Sequence, residues 1–222
     1  MAAAVALSMM HAMPTEDLLA LCTLAQAPTG DSSGVEASDV TRIPSQPAAG
    51  ATPSEALAQA NDTLAADNPT LMFATAIVAV LDCRTGLLTY ANAGHNAPRC
   101  RSANGREAEL PIETGIALGV MDGVDFVDQV LQLEAGYHLL MFTDGVTEAV
   151  GPGDTMFGDA RLAAIVADPA YSEPARLVEA VTHSVEAFEE TEPQADDITM
   201  VALHWRGIAP PPIPCVREKE TA

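Results

Sequence analysis

The sequence predicts an α+β fold in which helices and strands form layers instead of alternating one by one. Three observations predict it. Helix-patterned segments come first, then five or six strand-like runs joined by tight turns, then two helical segments and one last strand. The run "FATAIVAVLD" (73–82) is apolar throughout and short enough for a strand buried on both faces. The chain has 222 residues, 48% of them apolar, which suits one good core.

The elements follow in order. "MAAAVALSMMHAM" (1–13) is built of strong helix formers and reads as a buried helix that needs a sheet to lie on. It opens without a capping residue, as though something should precede it. No basic residue stands ahead of its apolar part, and Pro14-Thr15-Glu16-Asp17 follows at once, so it does not read as a signal peptide. Residues 15–26 continue as a helix, with Thr15 as N-cap and acids in the first turn. Residues 27–51 are dominated by Gly, Ser, Pro and Asp, which marks a flexible insertion.

Order resumes at 52–68. Thr52 caps a helix, Pro53 takes its first position and Glu55 completes a capping box. Strand 73–82 turns through "CRTG" into "LLTYANAG" (87–94), a hairpin. "APRCR" and "EAEL" flank the turn Ser102-Ala103-Asn104-Gly105. "DFVDQVLQL" (125–133) alternates and turns at Glu134-Ala135-Gly136 into "YHLLMFTD" (137–144). Helices near 159–167 and 173–190 precede the final strand "ITMVALHW". Residues 1–206 therefore form one domain, and 207–222 a disordered tail.

Bulk properties exclude several roles. Net charge is −21 with only 10 Lys and Arg, so a phosphate-neutralising nucleic-acid surface is not expected. No apolar run approaches the ~20 residues of a membrane span. Cysteines 22, 83, 100 and 215 lack zinc-finger spacing and form no disulfide framework, which suits reduced thiols in a cytoplasm.

The chemistry is expected from the acids. A strand ending in Thr143-Asp144-Gly145 holds its carboxylate rigidly, and the glycine lets the chain turn sharply and a ligand approach closely. Asp196 and Asp197 stand about fifty residues on, before another strand. Adjacent strands could bring both sites to one edge. Converging carboxylates without Cys or His suit a hard cation, Mg²⁺ or Mn²⁺. The plainer reading is that Asp144 starts a turn and Asp196 caps one, as Asp commonly does.

"FATAIVAVLDCRTGLLTYANAGHNAP", "ALGVMDG", "LEAGYHLLMFTDGVTEA", "MFGDARLAAIV" and "DDITMVALHW" follow one another with spacing that resembles the PPM family of metal-dependent protein serine/threonine phosphatases. The similarity is to the bacterial branch typified by the stage II sporulation phosphatase and the sigma-factor regulatory phosphatases. It covers about residues 53–206 and, more loosely, 1–26. The resemblance implies an antiparallel β-sandwich flanked by helices, with a site for two manganese or magnesium ions at one end. Asp144 matches the family's metal-binding Asp-Gly, with Gly145 beside it, and Asp196 its last metal aspartate; these two are the implied catalytic residues. Asp197 takes the neighbouring place and is expected to hold water or help position substrate. Asn92-Ala93-Gly94-His95-Asn96 matches a signature on a strand-to-loop turn, where His95 reads either as a catalytic acid or as a hydrogen-bonded structural residue. The implied substrate is phosphoserine or phosphothreonine on a protein, such as an anti-sigma-factor antagonist.

The sequence departs from that pattern at its start. The family carries an early Gly-Gly-Asp-x-x-Asp strand and an Asp-x-Ser-Gly-(His/Lys)-Gly turn, which supply the bridging aspartate. Neither motif occurs in these 222 residues. A miscalled start, a truncated remnant and one half of a split enzyme would each account for this. Little or no phosphatase activity is expected of the chain as written, and a non-catalytic pseudophosphatase that binds a partner is the alternative. A haloacid-dehalogenase-type mechanism is not expected, because its nucleophilic aspartate would fall at Phe142 and the strands and helices do not alternate.

Overall fold

A computed structural model describes residues 19–26 (backbone course only), 51–66, 68, 73–82, 85–190 and 196–207. The expected helix at 1–13, Thr15, nearly all of the 27–51 insertion and the tail beyond Gly207 lie outside the described residues.

Two sheets form the middle of the molecule. The first contains β1 (Leu19–Gln26), β2 (Thr75–Asp82), β3 (Leu87–Ala93) and β6 (Thr114–Gly115) in that order, with β7 (Gln129–Gln132) also on β3. The second runs β11 (Met200–Trp205), β8 (Tyr137–Phe142), β4 (Arg99–Arg101) and β5 (Glu107–Glu109). A small hairpin joins β9 (Val150–Gly151) to β10 (Thr155–Met156). Period-2 alternation sends Ile77, Ala79, Leu81, Leu88 and Tyr90 from the first sheet against Cys100, Leu139, Met141 and Trp205 from the second.

The opposite faces carry the helices. α1 (Pro53–Ala65) lays Leu57 and Ala60 on Ala76, Ala91 and Ala93. α2 (Gly158–Ala167) and α3 (Pro174–Glu189) bury Leu162, Val166, Leu177, Val181 and Val185 against Leu140 and Phe142. The order of layers is helix, sheet, sheet, helix, the α+β sandwich that the sequence and its resemblance led us to expect. The α1 capping box is present as read: Thr52 Oγ1 accepts from Glu55 N–H, and the Glu55 carboxylate accepts from Thr52 N–H.

Three expectations are corrected. Residues 19–26 form a strand, not the end of a helix. They pair antiparallel with β2 from Leu19↔Leu81 to Gln26↔Thr75, with an irregularity between Leu21 and Leu24. Without this partner the outer edge of β2 would present a row of unpaired N–H and C=O groups, and filling it overrides the helix propensity of Leu and Ala, which is a modest fraction of a kcal/mol per residue. Secondly, the 125–133 strand is confined to Gln129–Gln132, because Asp128 is used elsewhere: its carboxylate accepts from Ser54 N–H at 2.8 Å and fixes the start of α1. Thirdly, not every pairing is antiparallel, since β6 meets β3 in parallel at Asn92↔Thr114 and Ala93↔Gly115.

A row of side chains fastens the outer helical layer to the second sheet. His138 and His204 sit opposite each other across β8 and β11 and stack with centroids 4.0 Å apart. His138 Nε2 donates to Ser172 O, and buried Arg101 donates to Asp168 O and Ser172 Oγ, so the turn before α3 is held down.

Candidate metal centre

Asp144 stands just past the C-terminal end of β8, and Asp196 and Asp197 just before β11 begins. The two strands are hydrogen-bonded neighbours, with Phe142 opposite Met200, so antiparallel geometry delivers all three acids to one edge of one sheet. Past Phe142 the chain tightens into a 3-10 turn over Asp144–Val146.

Gly145 is required here by proximity, since its φ is not in the left-handed region. A Cβ on it would lie 2.7 Å from Asp197 O and 3.3 Å from the Asp196 carbonyl carbon. The two acid-bearing segments thus touch backbone to backbone. The group that approaches the glycine is the chain itself, where the sequence reading allowed for a ligand.

The Asp144 carboxyl is held above the ordinary carboxylate range, at about 6. Burial is the largest cause, followed by the charges of Glu148 and Asp196; the Gly145 N–H opposes them. Its Oδ1 is buried without a hydrogen-bond partner. An orphaned, crowded acceptor of this kind suits a cation ligand. Asp196 is half-buried, and its Oδ1 accepts from Asp197 N–H at 2.7 Å. The Asp197 side chain is exposed, and its carbonyl faces inward. Among the described residues no three His, Cys, Asp or Glu side chains gather closely enough to hold a metal by themselves.

His95 is buried, at 2% exposure. Its backbone N–H donates to Asn92 Oδ1, and Asn92 Nδ2 donates to His95 O. The ring Nδ1 pairs with Thr75 Oγ1 at 3.2 Å, while Nε2 has no well-formed partner. Burial pushes its pKa down to about 4, partly offset by the Phe142 backbone nearby. The ring is therefore neutral at pH 7 and has no spare proton charge to deliver as an imidazolium. Gly94 takes a φ of +75°, and a Cβ there would meet Ala117 backbone at 3.2 Å, so the turn before His95 needs glycine. Asn96 follows, half-buried, in the same turn.

Two residues escaped the sequence reading. Glu148 lies one turn after Asp144, and the i, i+4 spacing could have revealed that its charge bears on Asp144. Thr143 is buried and bonds across to residues 197 and 199.

Residues 36–206 match the family described as Stage II sporulation protein E (SpoIIE). The chain belongs to the SpoIIE family. Protein IcfG of Synechocystis is 32% identical over 145 residues, covering 65% of this SpoIIE-family chain and 23% of IcfG. The structure of the RsbU and RsbW domains of Rv1364c from Mycobacterium tuberculosis has a TM-score of 0.64 at 27% identity, covering 85% of this chain and 52% of that one. The SiaA-PP2C domain of Pseudomonas aeruginosa has a TM-score of 0.61 at 22% identity, covering 69% and 61% respectively, and shares the fold. This SpoIIE-family chain thus spans about a quarter of its curated relative and about half of the mycobacterial structure. Among its described residues no helix is long and apolar enough to cross a membrane.

Proposed function

We propose that this chain is a metal-dependent protein serine/threonine phosphatase domain in which Asp144 and Asp196 hold a shared Mn²⁺ or Mg²⁺. The observation that carries the reading is the buried Asp144 Oδ1, which lacks a hydrogen bond in a carboxyl that feels the charge of Asp196. When bound, the cation supplies Lewis acidity and offsets phosphoryl charge. The chain's own residues do the rest. Asp144 and Asp196 bind and orient through oxygens fixed at the ends of β8 and β11. Asp197, exposed beside them, orders water or positions the substrate with Gly145 and Asn96. His95 stays neutral and holds the Asn92–Asn96 turn in shape. The reading also draws on family membership and on the ordered set of motifs shared with the PPM phosphatases. By that resemblance the substrate is phosphoserine or phosphothreonine on a regulatory protein of the anti-sigma-factor-antagonist kind.

Two carboxylates do not make a two-metal site, and the sequence holds neither motif for the bridging aspartate. We therefore assign weak cation binding and little hydrolysis to these 222 residues alone. A second reading is a pseudophosphatase that binds its partner without turnover, and in its favour no three metal-binding side chains gather among the described residues. The pure chain is expected to bind Mn²⁺ and to hydrolyse p-nitrophenyl phosphate no faster than its Asp144→Asn variant. Manganese-dependent turnover that Asp144→Asn removes would overturn the assignment of inactivity. Absence of any Mn²⁺ binding would overturn the metal reading.

A further inference from the structure

We propose that the Thr143 side chain is a positioning residue that sets the placement of Asp196 relative to Asp144. The inference rests on the metal reading above and goes beyond it by naming what holds the two carboxylates in register. The β8–β11 ladder continues one residue past Phe142, where Thr143 N–H donates to Thr199 O at 3.0 Å. After that the backbones part: residues 144–146 coil into the 3-10 turn, and residues 196–199 are irregular. The hydroxyl of Thr143 supplies the cross-links that the ladder no longer gives. It accepts from Thr199 N–H at 2.9 Å and donates to Asp197 O at 2.8 Å.

The bond to Asp197 O matters most. It fixes one side of residue 197, and the other side, its N–H, is turned into Asp196 Oδ1. A short chain of contacts therefore runs from Asp144 through its neighbour Thr143 and through Asp197 to the Asp196 carboxylate. With Gly145 in close contact with the Asp197 carbonyl, the hydroxyl also determines how near the two segments sit. Thr143 is 4% exposed, so no water replaces its bonds without rearrangement. A hydroxyl both donates and accepts, which serine can reproduce and valine cannot.

The test compares wild type with Thr143→Val and Thr143→Ser by Mn²⁺ titration, at a temperature where each is folded. Thr143→Ala takes the place of valine if the latter does not fold. Amide exchange at Thr199 is read in parallel without metal. We expect Thr143→Val to weaken Mn²⁺ binding by about tenfold, the effect typical of residues that orient ligands, while serine restores it. Thr199 protection should fall in the valine variant and return with serine. A merely structural role would lower the melting temperature of Thr143→Val but leave Mn²⁺ affinity of the folded protein unchanged, and that result overturns the proposal alone. Failure of wild type to bind Mn²⁺ overturns the metal reading and this role with it.

Discussion

Gly145→Ala is expected to lower stability by about 1–3 kcal/mol, the range for overpacking. The new methyl would lie 2.7 Å from the Asp197 carbonyl oxygen, and that neighbour is backbone, not the end of a flexible side chain. Either the turn at 144–146 or the approach to β11 must move. Thr143 bonds residues 197 and 199 at the same place, so the displacement also separates Asp144 from Asp196. In a domain of this size the loss corresponds to a fall of about 2–12 °C in melting temperature, with Mn²⁺ binding lost. Gly153→Ala is the control. Its φ of +76° imposes strain, but nothing lies within 4 Å of the added carbon. It should cost about 1 kcal/mol and spare the metal. Equal effects of the two substitutions would mean that backbone conformation, not close approach, selects glycine at 145.

Asp144→Asn is expected to stabilise the metal-free protein at pH 7 while abolishing its response to Mn²⁺. The carboxyl of Asp144 titrates at about 6 in the fold against an ordinary 3.8. Its ionised form is therefore disfavoured by folding. Well below its ordinary pKa of 3.8 the group is protonated in both states and contributes no penalty. As pH rises through about 6 the folded protein must give up a proton it holds more tightly than the unfolded chain does, and stability falls. Asparagine removes that penalty, which solvent screening at the half-exposed rim limits to about 1 kcal/mol. Wild-type stability should thus decline through this group between pH 4 and 6 relative to Asp144→Asn, and the two should converge in acid. Mn²⁺ should raise the melting temperature of wild type only. Thermal melts across pH, with and without the ion, check both halves. A destabilised Asp144→Asn at pH 7 would show that the carboxylate is a structural cap, as aspartates at turns commonly are.

The two results express one trade-off. A carboxylate kept partly buried, beside two other acids and short of a hydrogen bond is costly until a cation arrives. Function at this edge is read from where the fold tolerates that cost.

Local signals carried much of the fold. Thr52, Pro53 and Glu55 spell a helix start within four residues, and the cap forms as read. The strand runs at 73–82, 137–144 and 198–205 announce themselves by apolar content, and the adjacency of the last two puts Asp144 and Asp196 at the same end of one sheet. What was missed depends on distant partners. "LALCTLAQ" reads as a helix from its Leu, Ala and Gln, and the edge of β2, distant in sequence, makes it a strand instead. Thr143 looks like an ordinary strand-end residue, because its hydroxyl partner Asp197 lies 54 positions away. His95 left two readings open because its protonation depends on burial beside Phe142, which no spacing within "NAGHN" encodes.

Diffraction from crystals soaked in Mn²⁺, with anomalous differences recorded at the manganese edge, tests the shared ion most directly. One peak is expected within roughly 2.0–2.6 Å of a carboxylate oxygen from Asp144 and another from Asp196, the range for hard cations on oxygen. A manganese ion bound by only one of the two, or held elsewhere on the molecule, would contradict the account.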